Sequence, residues 1–250
     1  MSKVPRHLVL SVSRYADMWG DISRVAAWCA GLGVECVTIF CRGPNTTHIS
    51  PGDSRDEIAK GLPLACELLW PSTHASLVRS WDALRRKSRH AAADVTFYEF
   101  NIRNEILNRP VSQRFIIRVL SDNVGRAALL RATKKNMIEK LGSTMDERIN
   151  GGVKRTSFSD DPPGGLEESW ERLKRSIDAL SYIGENGETI EPQLMLYFSN
   201  TPGLTMGGYP PWELRFTEIT RVGTSIECTN YSKFISMLVR HSRSSQNFGR

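Results

Sequence analysis

The chain has no CxxC pair, and its five cysteines, Cys29, Cys36, Cys41, Cys66 and Cys228, are odd in number. Neither a disulfide framework nor a zinc site is indicated, and a reducing compartment is expected. Cys29 and Cys36 sit in apolar stretches and read as small buried hydrophobes. No run approaches the roughly 18 consecutive apolar residues of a transmembrane helix. The opening Met1-Ser2-Lys3-Val4-Pro5 has no long apolar core, so no signal peptide is expected. Membrane association is then expected to be peripheral or through a partner.

Familiar catalytic signatures are missing too. No GxGxxG or GxxxxGK[ST] follows a strand, and there is no GxSxG elbow. The five histidines show no HxH or HxxxH spacing, so no metal site is indicated. The acid pairs Asp160-Asp161 and Glu167-Glu168 fall in or beside a polar, Gly- and Pro-rich stretch, where a solvated surface is the expectation. Net charge is only +6. This suits acidic partners such as nucleic acid, anionic headgroups or diphosphates, but fits a plain basic surface equally well.

What is present is enough apolar material for a core: 40% of 250 residues. That excludes wholesale disorder and suits one large domain. His7 to Val12 and Val34 to Phe40 read as buried strands. Between them lies a helix with Ile22, Val25, Ala26 and Cys29 at helical spacing, Asp21 as its N-cap, and Gly31 and Gly33 at its stop. This is a βαβ unit, which implies parallel strands.

Residues 42–60 read as a loop, and Leu77 to Ala93 as a helix with a basic face of Arg79, Arg85, Arg86, Lys87 and Arg89. That face is expected to be solvated, or else to touch lipid or RNA. Val95 to Phe100 fits a short strand or an aromatic patch at the end of that helix. Phe115 to Leu120 and Gln193 to Phe198 are further strands, with helices expected from about Ser121 to Lys140 and from Leu166 to Ile183. Residues 147–165 read as a flexible insertion, and a last amphipathic helix runs from about Tyr231 to His241, before a tail at 242–250. The sum is one α/β domain around a mostly parallel sheet flanked by helices.

Three stretches at compatible spacing resemble one family. HLVLSV with ISRVAAWCAGLGVECVTIF (His7–Val12, Ile22–Phe40) is similar to the opening of cis-prenyltransferases. FIIRVLSDNVGRAALLRAT (Phe115–Thr133) is similar to a central strand, turn and helix of that family. QLMLYFSN and GYPPWELRFTEI, within Gln193 to Ile219, resemble its phosphate-binding loop and a Trp-containing strand. The resemblance implies a cis-prenyltransferase-like fold over nearly the whole chain.

The departures from the family pattern bear on function. Catalytic members continue the first strand with Asp-Gly-Asn, whose Asp holds Mg²⁺ and the allylic diphosphate; here stand Ser13, Arg14 and Tyr15. A departing diphosphate needs a divalent cation, and a serine hydroxyl is a poor substitute for a carboxylate there. The Gly-Arg-Trp run is absent. The Arg-Thr-Ser-Gly loop that grips isopentenyl diphosphate reads Tyr197-Phe198-Ser199-Asn200, and Tyr cannot replace a bidentate guanidinium. No catalytic residue and no metal ligand is therefore assigned to this chain.

The pattern resembles the non-catalytic, Nogo-B receptor-like subunit of the dehydrodolichyl diphosphate synthase complex. That resemblance implies a heteromer with a catalytic cis-prenyltransferase that binds Mg²⁺, and isopentenyl diphosphate at a shared site. It also implies a cytoplasmic location or the cytosolic face of the endoplasmic reticulum, with no nucleic acid. It places the C-terminal tail, Asn247, Phe248, Gly249 and Arg250, in the partner's site. There Asn247 stands where the family has Arg, and Arg243 and Arg250 are the nearby cations. Trp212, Arg215 and Glu218 are interface candidates: Trp212 in the core or the interface, Glu218 paired with an Arg across the dimer or simply on the surface. His7 is expected to be structural. Phe40, Phe100 and Phe198 are expected in the core first, and as prenyl-tunnel walls second. A divergent stand-alone prenyltransferase or isoprenoid cyclase using Asp17 or Asp21 is one alternative. A lipid- or nucleic-acid-binding module acting through residues 79–89 is another.

Overall fold

The computed structural model describes residues 4–12, 18–41, 51–82, 95–104, 111–120, 190–199, 209–227 and 229–244. The two N-terminal apolar runs form β1 (His7–Val12) and β2 (Cys36–Cys41), every residue of both being buried. They pair in parallel, with His7 opposite Cys36 and Val12 opposite Cys41, across α1 (Trp19–Gly31). A strand inside a parallel sheet is covered on both faces and so reads as an unbroken apolar run. Helix α1 begins before Asp21, after Met18, and has no side-chain cap. Asp21 instead sits in the first turn and pairs with Arg24 at 2.7 Å, where a carboxylate complements the helix dipole.

Leu32 closes α1, and the backbone reverses at Gly33, whose φ is +85°. The Val34 N–H donates to the Cys29 carbonyl at 3.0 Å, satisfying an otherwise orphaned group. No atom lies within 4 Å of a Cβ added at Gly33, so substitution there is opposed by conformation alone. Gly33→Ala is expected to cost about 1 kcal/mol, read as a lower urea midpoint at unchanged slope.

Two expectations are overturned. The stretch read as a loop holds the first half of α2 (Pro51–Leu69), while residues 42–50 lie outside the described residues. Pro51 opens the helix, where its fixed φ suits the first turn, and Ile58, Leu62 and Cys66 at four-residue spacing are buried against the core. The stretch read as a basic helix begins as β3 (Thr73–Asp82), antiparallel to β4 (Val95–Asn104), which is itself antiparallel to β5 (Val111–Leu120). Edge strand β3 is exposed over residues 76–80 and so carries no two-residue burial period to read in sequence. Cross-strand pairs hold it. Trp81 stacks on Phe97 at 5.2 Å with an interplanar angle of 13°, and Arg79, lying 4.8 Å over Trp81, ion-pairs with Glu99. Arg79 thus belongs to a strand, and the remaining cations of the expected basic face lie outside the described residues.

The C-terminal third supplies β6 (Leu194–Phe198), a 3₁₀ turn (Pro211–Glu213), β7 (Glu218–Gly223) and α3 (Tyr231–Ser244). The seven strands form one sheet in the order β3-β4-β5-β2-β1-β6-β7, parallel from β5 to β7. This is a mostly parallel α/β fold with three described helices. One sheet face, with Leu10, Ile39 and Leu196, packs beneath residues of α1, α2 and α3. The other, with Val9, Phe40, Ile116 and Met195, is covered in part by Tyr209 and Leu214. Phe40, Phe100 and Phe198 are all core residues, each at most 1% exposed. The expected helices at 121–140 and 166–183 and the insertion at 147–165 lie outside the described residues.

Candidate functional site

Strand order decides where a ligand crevice lies in a parallel sheet. β1 connects through α1 to β2 on one side, whereas β6 leads to its neighbour β7 on the other. β1 and β6 are adjacent and parallel, with Ser11 opposite Tyr197, so their carboxyl ends lie side by side. The connections leave this pair in opposite directions. Such a switch point, at the carboxyl ends of the strands, is where open α/β sheets take their ligands.

Of the two stretches singled out in sequence, the first continues directly from the end of β1 and the second begins inside β6 and runs past its end. Ser13, Arg14 and Tyr15 follow Val12, and Asn200 follows Ser199; these four residues lie outside the described ones. Tyr197 is fully buried within β6. Ser199 is buried as well: its N–H donates to the Gly223 carbonyl at 2.9 Å, and its own carbonyl accepts from Arg221 Nη2 at 3.2 Å. β6 and β7 are thereby stitched together at the crevice edge.

On the sheet face that Tyr209 covers lies a polar chain that sequence reading missed. Arg118 of β5 is fully buried, and its Nη2 donates to Glu213 Oε2 at 2.5 Å. The Tyr209 hydroxyl donates to the same oxygen at 2.9 Å. Burial opposes the guanidinium charge, but the Glu213 carboxylate outweighs it and raises the Arg118 pKa further. Burial and the same carboxylate push the Tyr209 phenol well above its usual range. The signal was available in part: an arginine inside Phe-Ile-Ile-Arg-Val-Leu (115–120) has to find a buried anion.

His7 joins this face through β2. Its Nδ1 lies 2.9 Å from the Ile190 carbonyl and its Nε2 2.7 Å from Thr38 Oγ1. A carbonyl only accepts, so Nδ1 carries the proton; in the neutral ring Nε2 then accepts from the threonine hydroxyl. Burial, reinforced by Arg118, lowers the His7 pKa to about 3. His7 is therefore structural, as its sequence position indicated.

The interface candidates separate. Trp212 sits half-buried in the 3₁₀ turn, not in a strand, and its buried Nε1 has no hydrogen-bond partner among the described residues. Arg215 is exposed and pairs with Glu191. Glu218 binds within its own chain. Its Oε2 accepts from His241 Nδ1 at 2.9 Å and from the Ser244 hydroxyl, so the last turn of α3 is tied to the start of β7. Burial works against this carboxylate, yet Ser244 and His241 together lower its pKa. The tail residues Asn247, Phe248, Gly249 and Arg250 lie outside the described residues.

No family model matches the chain, and no curated protein sequence matches it. Among the described residues no group of three or more His, Cys, Asp or Glu is placed to hold a metal ion, and no helix is long and apolar enough to cross a membrane.

Proposed function

We propose that this chain is the non-catalytic subunit of a heteromeric cis-prenyltransferase that makes polyprenyl, dolichol-type diphosphate from isopentenyl diphosphate and an allylic primer. The observation that carries this reading is the adjacency of β1 and β6 at the switch point. Of the two stretches at which the resemblance requires diphosphate-holding groups, one continues from the end of β1 and the other spans the end of the neighbouring β6. At one, Ser13 stands for the metal-binding carboxylate; at the other, Tyr197 to Asn200 stand for the guanidinium loop. The one fully buried guanidinium of the described sheet, Arg118, stands in β5 and is matched by Glu213, so it adds no net charge. Mg²⁺ and the chemistry then belong to the partner, at the cytosolic face of the endoplasmic reticulum. This chain stabilises the partner and contributes its tail.

The purified chain alone is expected to show no prenyl transfer with isopentenyl diphosphate, an allylic primer and Mg²⁺. Co-purified with a catalytic cis-prenyltransferase, it is expected to raise that subunit's turnover by at least about tenfold, or ~1.4 kcal/mol of barrier. Truncation of Gln246 to Arg250 is expected to remove most of the gain. Mg²⁺-dependent turnover by the chain alone, abolished by changing Asp17 or Asp21, would overturn the reading in favour of a stand-alone enzyme.

A further inference from the structure

The outward side of α3 is built differently from its inward side. Inward, Phe234, Met237 and Leu238 are buried, with Phe234 5.5 Å from the Trp28 ring of α1. Along a shallow groove of about 610 Å³, Tyr231, Ile235 and Val239 recur at four-residue spacing beside Arg240 and Arg243; Tyr231 also meets the rings of Trp28 and Trp70, and Ile235 also packs against the core, so each offers only its outer edge. Tyr231 and Val239 are each 38% exposed, which an ordinary solvated helix face would not require. Phe216, 84% exposed, stands two residues before Glu218, the residue that holds the last turn of this helix.

We infer that this face of α3, with Phe216, is the contact surface for a different protein chain that presents an apolar patch edged by carboxylates. The inference rests on the functional reading above and identifies the catalytic subunit as that chain. Charge selects the occupant. α3 carries Lys233, Arg240 and Arg243 and no Asp or Glu. A two-fold pairing of this face with a second copy would set arginine against arginine with no carboxylate on the helix to offset it. Tyr, Phe and Arg around a short aliphatic stripe are the composition of protein–protein contact centres; the broad apolar face that a bilayer would take is turned inward in α3, where Phe234, Met237 and Leu238 are buried.

The test is the affinity of the full-length chain for a catalytic cis-prenyltransferase subunit, measured by calorimetry and size-exclusion chromatography. Val239→Asp, and separately the pair Arg240→Glu and Arg243→Glu, are expected to weaken association by at least about tenfold. Unfolding temperatures should fall by no more than about 2–4 °C, because these side chains are exposed and Arg240 acts on Glu218 only through its charge. Leu68→Asp, on the 74% exposed outer side of α2, is expected to leave association unchanged. If the wild-type chain does not bind the catalytic subunit, the functional reading and this inference both fail. If it binds and the α3 variants bind equally well, this inference alone fails. It fails likewise if Val239→Asp abolishes self-association, or abolishes binding to vesicles of phosphatidylcholine and phosphatidylserine, instead of heteromer formation.

Discussion

Arg118→Met is expected to destabilise the chain by about 3–5 kcal/mol, the usual consequence of stripping one partner from a buried ion pair. For a chain of this size that corresponds to a fall of roughly 6–20 °C in unfolding temperature. Arg118 and Glu213 have side chains only 1% and 5% exposed, so solvent does little to screen them. Removing the guanidinium leaves Glu213 Oε2 with the Tyr209 hydroxyl alone and Oε1 with no partner among the described residues. The carboxylate must then stay charged in an apolar setting or take up a proton, and either is unfavourable. The Pro211–Glu213 turn would lose the contact that presses it onto β5. Arg118→Met combined with Glu213→Leu removes both charges and is expected to recover much of the loss, because a well-packed apolar pair can match a buried ion pair. A single variant as stable as the wild type would show that the pair does not hold the 209–214 segment in place.

The second large effect is acid sensitivity centred on His7. Its folded pKa is lowered to about 3, against an ordinary value near 6.5. Between those limits the unfolded chain holds a proton that the folded chain does not, so stability rises with pH across the window and is lost as pH falls through it. The expected slope is about 1.4 kcal/mol per pH unit, amounting to several kcal/mol over the whole span. Glu218, whose pKa is lowered, adds a loss of the same sign only below the ordinary carboxylate range, so of these two groups only the histidine acts from pH 6.5 down to about 4.5. Urea unfolding across that interval should show the slope in the wild-type chain and a much flatter dependence in His7→Gln. Equal slopes in both would mean that the ring is not held neutral between Thr38 and Ile190.

Particular elements show why some of the fold was readable and some was not. β1, β2 and β6 lie in the parallel part of the sheet with both faces covered, so burial writes itself as unbroken apolar runs. The end of α1 was readable because a left-handed residue is needed there, and glycine adopts that conformation without strain. β3 was not readable. Its exposed middle and Arg79 fit a helix face as well as an edge strand, and only β4 alongside decides between them. α2 was masked by Gly, Pro, Ser and Asp in its first turns, and the burial of Ile58, Leu62 and Cys66 outweighs their loop preference.

The candidate site divides along the same line. The stretches at the ends of β1 and β6 were marked by their residues, but that these two strands are neighbours follows from strand order alone. Glu218 was marked as a residue that would pair, though not that its partners are His241 and Ser244 of its own chain. The Arg118–Glu213 pair joins residues 95 positions apart and leaves no local pattern. Local physical chemistry, namely apolar periodicity and the backbone demands of glycine, determined that this chain forms a mostly parallel α/β domain. Which polar groups meet inside that domain was decided only by tertiary structure. A buried charge takes whichever partner the strand order brings within hydrogen-bonding distance, however far along the chain it lies.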